Sequence, residues 1–306
     1  MNKNKPLVSV VIPTYKRSDM ITRTIQSIKQ QTYDIIEIII VDDNGRGTDM
    51  QLKTAEAVAP FMSDITYLVH DVNKGGSAAR NTGWKAADGK YITFVDDDDE
   101  LSETKIEKQV ACLENLDESW GCCYTAYELV KENGEYQRSS EARSGNCYVD
   151  ALMRTLFMGS GSNLFLRKSV VDEIKGYDES FVRNQDIEFL ARVCEKYKIA
   201  FIDEVLLTIF QEGNRPKKTL EEIEEVNEHY LKKFESRINS LESSEKERVM
   251  SVITLERFRL YLYNKQLFEG VKLLKENNVK MKYIVRYMKY LAHRKITHKS
   301  YGFSGK

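Results

Sequence analysis

The sequence predicts an α/β protein, a mainly parallel sheet sandwiched by helices and followed by a C-terminal helical extension. Two observations predict the sheet: short apolar, β-branched runs alternate with helical periodicity over the first hundred residues, and three polar clusters, at 13–17, 42–45 and 96–99, follow such runs directly. A third predicts the extension. Beyond about Thr219 strand-like runs vanish, and Glu, Lys and helical spacing continue to the end.

Taken in order, Val8 to Ile12 is a buried-strand pattern closed by Pro13, and Ile21, Ile25 and Ile28 then recur at helical spacing. Ile35 to Val41 is a second strand, ending in the turn signal Asp42-Asp43-Asn44-Gly45. A helical stretch leads to a third strand at Ile65–Val69, and Gly75-Gly76 opens an alanine-rich helix over Ser77–Ala87. Tyr91 to Val95 is a fourth strand and runs straight into Asp96-Asp97-Asp98-Asp99. Parallel sheets covered on both faces bind ligands beyond the carboxyl ends of their strands, so the three clusters are expected to converge on one site. The segment 133–165 shows no interpretable pattern. We place the boundary just after Pro216, giving domains 1–218 and 219–306.

Composition narrows the function classes. With 46 Lys and Arg against 47 Asp and Glu, the formal net charge of −1 argues against a nucleic-acid binder that works by neutralising phosphates. The five cysteines show no metal-type spacing and read as buried thiols in a reducing compartment. The first residues carry no signal-peptide pattern, and no apolar stretch approaches the ~20 residues of a membrane span. The expectation is a cytoplasmic protein, unless the tail carries it to the inner face of the membrane.

The run Asp96–Asp99 is the sharpest chemical feature. Adjacent carboxylates repel one another and are tolerable where a divalent cation neutralises them; Mg²⁺ and Mn²⁺ prefer such hard oxygen ligands and leave positions open for phosphate oxygens. The plainer reading is a solvated acidic turn capping a helix near Ser102. Its place after an apolar strand favours the metal.

Five segments, in order, resemble the family 2 glycosyltransferases of GT-A fold: VSVVIPTYKR at 8–17, IIIVDDNG at 38–45, GGSAARNTGWKAADGKYITFVDDDD at 75–99, KGYDESF at 175–181 and QDIEFLAR at 185–192. The resemblance implies a nucleotide-binding sheet, a nucleotide-sugar donor (a UDP-sugar foremost), a glycan or lipid-linked saccharide acceptor, Mn²⁺ or Mg²⁺, and inversion at the anomeric carbon. It places Pro13, Thr14, Tyr15 and Asp43 around the base and ribose, with Arg17 of the same turn added to the donor-binding set. An Asp accepting from the uracil N3–H and a Tyr offering a stacking face suit that task; Asp43 alone also reads as an Asx-turn residue. Arg80 falls at the family's arginine near base and diphosphate. Asp98 falls at the metal ligand, Asp96 at the ribose or the metal's surroundings, and Asp97 at the donor sugar, while the run of four permits a shifted register in which Asp99 substitutes. The catalytic base falls on Asp186, with Arg192 six residues on. By itself Asp186 would read as a helix N-terminal charge.

Two departures stand out. Gln185 replaces the glutamate that precedes the family's base. The family's downstream histidine metal ligand is also missing, since the matching stretch reads TIFQEGNRPKK. There Gln211 or Asn214 is the candidate oxygen donor, and Arg215, Lys217 and Lys218 are candidate diphosphate partners. The processive members' Q-x-x-R-W signature is absent, which implies one sugar per event; the resemblance itself implies a transferase of the hexosyl or N-acetylhexosaminyl class. Two rivals remain: a sugar nucleotidyltransferase, disfavoured because PTYKRSD lacks the glycine-rich loop, and a nucleotide-sugar-binding protein without activity.

The tail ends in VKMKYIVRYMKYLAHR at 279–294. On a helix, Met281, Ile284, Val285, Met288 and Ala292 form an apolar stripe beside a cationic face of Lys282, Arg286, Lys289 and His293, with Tyr283, Tyr287 and Tyr290 opposite. Two readings stand: a helix packed on protein, in this chain or in a homodimer, and peripheral contact with a membrane interface.

Overall fold

The computed structural model describes residues 5–210 and 219–306. They form two compact units, one from 5–146 and 158–210, the other from 147–157 and 219–306.

The first unit is built on strand β1 (Val8–Thr14), which is buried along nearly its whole length. Its alternate residues Val8, Val10 and Ile12 pack with Ile21, Ile25 and Ile28 of helix α1 (Ile21–Lys29). Val11 points to the other face, where α3 (Gly76–Ala86) crosses. A Cβ on Gly83 of α3 would lie 2.2 Å from Val11 Cγ1, so only glycine allows this helix so close to the strand. Strand β2 (Ile36–Asp42) pairs in parallel with β1 and, on its far side, with β3 (Ile65–Val69); helix α2 (Asp49–Val58) joins the two. Strand β4 (Tyr91–Phe94) pairs in parallel with the opposite edge of β1. The chain therefore works outward through β2 and β3 and returns across β1 to β4. This reversal opens a crevice beyond the carboxyl ends of β1 and β4, the standard ligand position in open α/β sheets.

The sheet continues past β4 with mixed pairing. Beyond β5 (Glu100–Leu101) and α4 (Lys105–Glu114) come β6 (Trp120–Val130), β7 (Tyr136–Arg138), β8 (Phe165–Arg167) and β9 (Lys198–Phe210), giving the order β3-β2-β1-β4-β8-β6-β9-β5 with β7 on β6. Strand β8 enters between β4 and β6 antiparallel to both, and only β6–β9 is parallel in this half. The parallel expectation thus holds for the four strands with clear helical crossovers between them. Helices α6 (Lys168–Ile174) and α7 (Gln185–Lys196) follow β8. Phe189 of α7 stacks on Tyr177 at 4.1 Å between ring centroids, and both rings meet Phe94 of β4 edge-on, which ties α7 to the sheet.

In the helical unit, the segment 147–157, with α5 over Tyr148–Leu152, joins α8 (Leu220–Asn239), α9 (Ser243–Tyr263), α10 (Leu267–Glu276) and α11 (Met281–Thr297). Helix α8 begins with a capping box, in which Glu222 N–H donates to Thr219 Oγ1 and Glu222 Oε2 accepts from Thr219 N–H. Tyr230 donates to the Leu152 carbonyl at 3.1 Å, and Arg154 donates to Asn227 Oδ1 at 2.5 Å. Among the described residues no helix is long and apolar enough to cross a membrane.

Candidate active site

The polar clusters that follow β1, β2 and β4 meet in the crevice. Four aspartates after β4 turn in different directions. Asp97 turns inward: its Oδ2 accepts from Thr14 Oγ1 at 2.6 Å and its Oδ1 from Arg17 at 3.3 Å, which ties the turn after β1 to the end of β4. Burial, with Asp98 and Asp96 nearby, pushes the Asp97 carboxyl up to about 7 against the pull of Thr14 and Arg17. Asp98 shares the Arg17 guanidinium with Asp97, and Asp96, Asp98 and Asp99 bring one ligand oxygen each to within 4.8 Å of the others. The turn is held by backbone contacts, Arg23 donating to the Asp98 carbonyl at 2.6 Å and Thr24 to that of Asp99 at 2.8 Å.

This donor set fits a divalent cation. It offers only carboxylate oxygens, the chemistry that Mg²⁺ and Mn²⁺ select. Burial and the Asp96 charge hold the Asp99 carboxyl above its ordinary range, the strain that a bound cation relieves. Arginines already compensate part of the cluster: Arg17 pairs with Asp98, and Arg80 donates to Asp96 at 2.5 Å.

Arg80 is the hub. It lies on α3, reaches Asp96 with one nitrogen and donates with another to Gln185 Oε1 at 2.8 Å, bridging 105 residues of sequence. Gln185 thus fills the place of a carboxylate with a neutral acceptor for Arg80. Next to it, Asp186 sits in the first turn of α7, half-buried, and a Cβ on Gly161 would lie 3.7 Å from its own Cβ. Burial raises the Asp186 carboxyl above the ordinary range; Arg80 pulls it down and Asp96 pushes it up. Arg192 does not face this site. It makes a bidentate pair with the fully buried Glu188 at 2.6 and 2.7 Å and donates to the Ile174 carbonyl, a bond set internal to α6 and α7. Asp178 is likewise engaged, accepting from the Ser180 N–H and hydroxyl.

Along the other wall, Tyr15 is 42% exposed after Pro13, with its ring free on the surface of the β1 turn and Lys16 Nζ 4.9 Å from the centroid. Lys16 takes a left-handed φ of 59° and its N–H donates to Asn44 Oδ1, so the turns after β1 and β2 are locked together. Asp43 is buried and accepts three bonds: from His70 Nδ1 at 2.6 Å and Lys74 N–H at 2.8 Å on Oδ1, and from Gly75 N–H at 2.7 Å on Oδ2. Gly75, at φ +90°, makes the turn into α3 that these bonds require.

Several contributors carry no sequence signal of their own. The Ser160 hydroxyl donates to Asp99 at 2.7 Å, with Asp96 also 3.2 Å from its oxygen, and Ser162 accepts from the Asp96 N–H. Both come from the uninterpreted segment, where the small-residue string Gly159–Asn163 was the only available hint. His70 bridges Asp43 to Thr82, and Lys105, wholly buried beneath the cluster, donates to Asn163 Oδ1 at 3.2 Å. Gln211, Asn214, Arg215, Lys217 and Lys218 lie outside the described residues.

The sequence profile described as glycosyl transferase family 2 matches residues 9–175, more than half of the chain. The chain is 28% identical over 206 residues to an uncharacterized glycosyltransferase of Rickettsia bellii, an overlap covering 66% of this chain and 29% of the relative. It is 34% identical over 158 residues to the putative teichuronic acid biosynthesis glycosyltransferase TuaG of Bacillus subtilis, covering 51% and 61%. The chain thus spans less than two thirds of either relative. Among solved structures, S. aureus TarS residues 1–349 in complex with UDP-GlcNAc superimposes with a TM-score of 0.67 at 17% identity, over 95% of this chain and 88% of that one. The mannosyltransferase PcManGT of Pyrobaculum calidifontis, in complex with GDP-Man and Mn²⁺, gives 0.58 at 17% identity over 95% and 81%. At such identities the likeness shows the fold, which is GT-A. The family match, over more than half of the residues, shows that this chain belongs to glycosyl transferase family 2.

Proposed function

We propose that the enzyme moves one sugar at a time from a UDP-sugar to a glycan or lipid-linked saccharide, with inversion, in the biosynthesis of a polysaccharide. One observation carries the reading: Arg80 spans from Asp96 to Gln185 and so sets Asp186 beside the acidic strand end. A base and a leaving-group site are thereby adjacent. TuaG's name and the nucleotide-sugar complexes of TarS and PcManGT support the choice of product and donor class.

In this scheme Tyr15 offers a stacking face to the base, Pro13 and Thr14 shape the turn beneath it, and Asp43 Oδ2, which accepts a single bond, receives the uracil N3–H. Arg17 and Arg80 face the diphosphate. Asp98, with Asp96 or Asp99, holds Mn²⁺ or Mg²⁺, which when bound neutralises charge developing on the departing diphosphate. Asp97 keeps the β1 turn in place through Thr14 and Arg17. The Asp186 carboxylate takes the proton of the acceptor hydroxyl as its oxygen bonds to the anomeric carbon; the bond from that carbon to the diphosphate breaks, and its electron pair leaves with the UDP. A direct displacement of this kind inverts the centre.

The reading is tested by incubating the protein with UDP-sugars and Mn²⁺ and following both UDP release and the anomeric configuration of the product by NMR. Retention at the anomeric carbon would overturn the mechanism. Gln185 favours a second reading, a nucleotide-sugar-binding protein without turnover; UDP binding with no hydrolysis or transfer of any donor would select it.

A further inference from the structure

Helix α11 is held by one face and leaves another unused. Its tyrosines do the holding. Tyr287 is wholly buried and donates to Glu256 Oε1 at 2.9 Å, Tyr290 donates to the Tyr301 carbonyl at 2.7 Å, and both rings pack against Phe303. Met281, Val285, Met288, Ala292 and Ile296 follow one another at steps of four, three, four and four residues, which places them on a single stripe. That stripe is open: Met281 is 69% exposed, Val285 45%, Met288 48% and Ile296 78%.

The charges beside the stripe are one-sided. Residues 277–306 contain no Asp or Glu, while Arg286, Lys289, Lys295 and Lys299 are all exposed. Among the described residues, Lys289, Lys295 and Lys299 have no carboxylate partner, whereas Lys280 and Lys282 at the start of the helix both pair with Glu247. An apolar stripe edged by unneutralised cations complements a surface that is apolar within and anionic at its rim. A second copy of the chain complements it poorly, because a two-fold pairing of α11 sets the same cations against each other.

We infer that α11 is a membrane-docking helix, its stripe lying in the interface of an anionic bilayer and Arg286, Lys289, Lys295 and Lys299 meeting the headgroups. This goes beyond the transfer reaction and is independent of it, since binding to lipid needs neither donor nor acceptor. Each cation near such a surface contributes about fivefold in affinity, so three or four of them with the apolar stripe suffice for reversible attachment.

The test is sedimentation of the full chain with phosphatidylcholine vesicles, with and without phosphatidylglycerol, alongside its mass in solution. The expected result is binding to anionic vesicles only, released by about 0.5 M salt, where screening is short-ranged. Val285→Asp combined with Met288→Asp, and separately Lys289→Glu combined with Lys295→Glu, should each weaken binding at least tenfold with an unchanged melting temperature. The lysine pair carries the test alone if the apolar pair is unstable. Absence of binding to anionic vesicles overturns the proposal, as does equal binding by the wild type and the lysine variant. A dimer that the apolar variant splits, in a protein that ignores vesicles, overturns it in favour of a second copy.

Discussion

At the end of β4 four consecutive aspartates lie largely inside the protein, while along α11 methionine, valine and isoleucine lie outside it and tyrosines lie within. Both regions invert the usual distribution, for different reasons. The aspartates are kept in place by a surrounding frame of donors, which reach them from three parts of the chain: Thr14 and Arg17 of the β1 turn, Arg80 of α3, and Ser160. No comparable frame surrounds the α11 stripe, which is simply the face left over once the tyrosines have packed. Buried charge held by many partners is expensive to assemble and points to chemistry; an exposed apolar face with no partner points outward, to something the chain meets.

The largest effect should come from the site. Asp186→Asn is expected to retain UDP binding and to slow transfer by roughly 10²–10⁴-fold, the usual range for loss of a general base. The sign of the pH dependence follows from the raised Asp186 carboxyl. Its basic form predominates only above its raised value, so the rate should climb with pH through a limb lying above the ordinary aspartate range. The Asn variant should lack that limb. Transfer by the variant at near-normal rate would move the base elsewhere, and the bonds of Glu188 to Arg192 and of Asp178 to Ser180 leave neither as a ready substitute.

Next in size is a change on the buried side of α11. Tyr287→Ala removes a wholly buried ring and a hydrogen bond to Glu256, and should cost about 3–5 kcal/mol, measured by urea unfolding. Tyr287→Phe should cost less, chiefly through the carboxylate it leaves without its hydroxyl partner.

How much of this was legible beforehand differs between the two regions in the same way. Parallel strands and helical crossovers fix where a strand end points, so a polar cluster after each of Val8–Ile12, Ile35–Val41 and Tyr91–Val95 was enough to bring residues 13–17, 42–45 and 96–99 together. The direction of each aspartate was not legible, because period-two alternation stops where the strand stops; that Asp97 meets Thr14, Asp98 meets Arg17 and Asp96 meets Arg80 is settled by the loops. Ser160 and Ser162 were missed because serines in an aperiodic loop carry no pattern, and 147–157 was missed for the same reason. For α11 the three faces were legible from 3.6-residue spacing, but periodicity does not say which of two nonpolar faces is buried. The aromatic residues at Tyr301 and Phe303, well past the helix, decide it.

A smaller effect is expected at the metal site than at the base. Asp98→Ala should weaken Mn²⁺-dependent UDP binding at least about tenfold while leaving the fold intact, because its backbone carbonyl, held by Arg23, is untouched. Calorimetry with and without chelator reads the difference. Equally tight UDP binding by this variant in chelator would remove the metal from the donor site.

The smallest effect sharpens the contrast on α11 most directly. Met288 neighbours Tyr287 in sequence, yet it is 48% exposed where Tyr287 is wholly buried. Met288→Ser removes about as much apolar surface as many core truncations do, so a stripe packed against protein should register the loss at well over 1 kcal/mol. A stripe facing water loses almost nothing, and surface changes of this kind stay within about 0.5 kcal/mol. Urea unfolding of the isolated protein should therefore place Met288→Ser beside the wild type and far from Tyr287→Ala. A Met288→Ser cost approaching that of Tyr287→Ala would mean that the stripe is covered in solution. Two measurements on adjacent residues of one helix thus determine which face holds the structure and which remains for a partner.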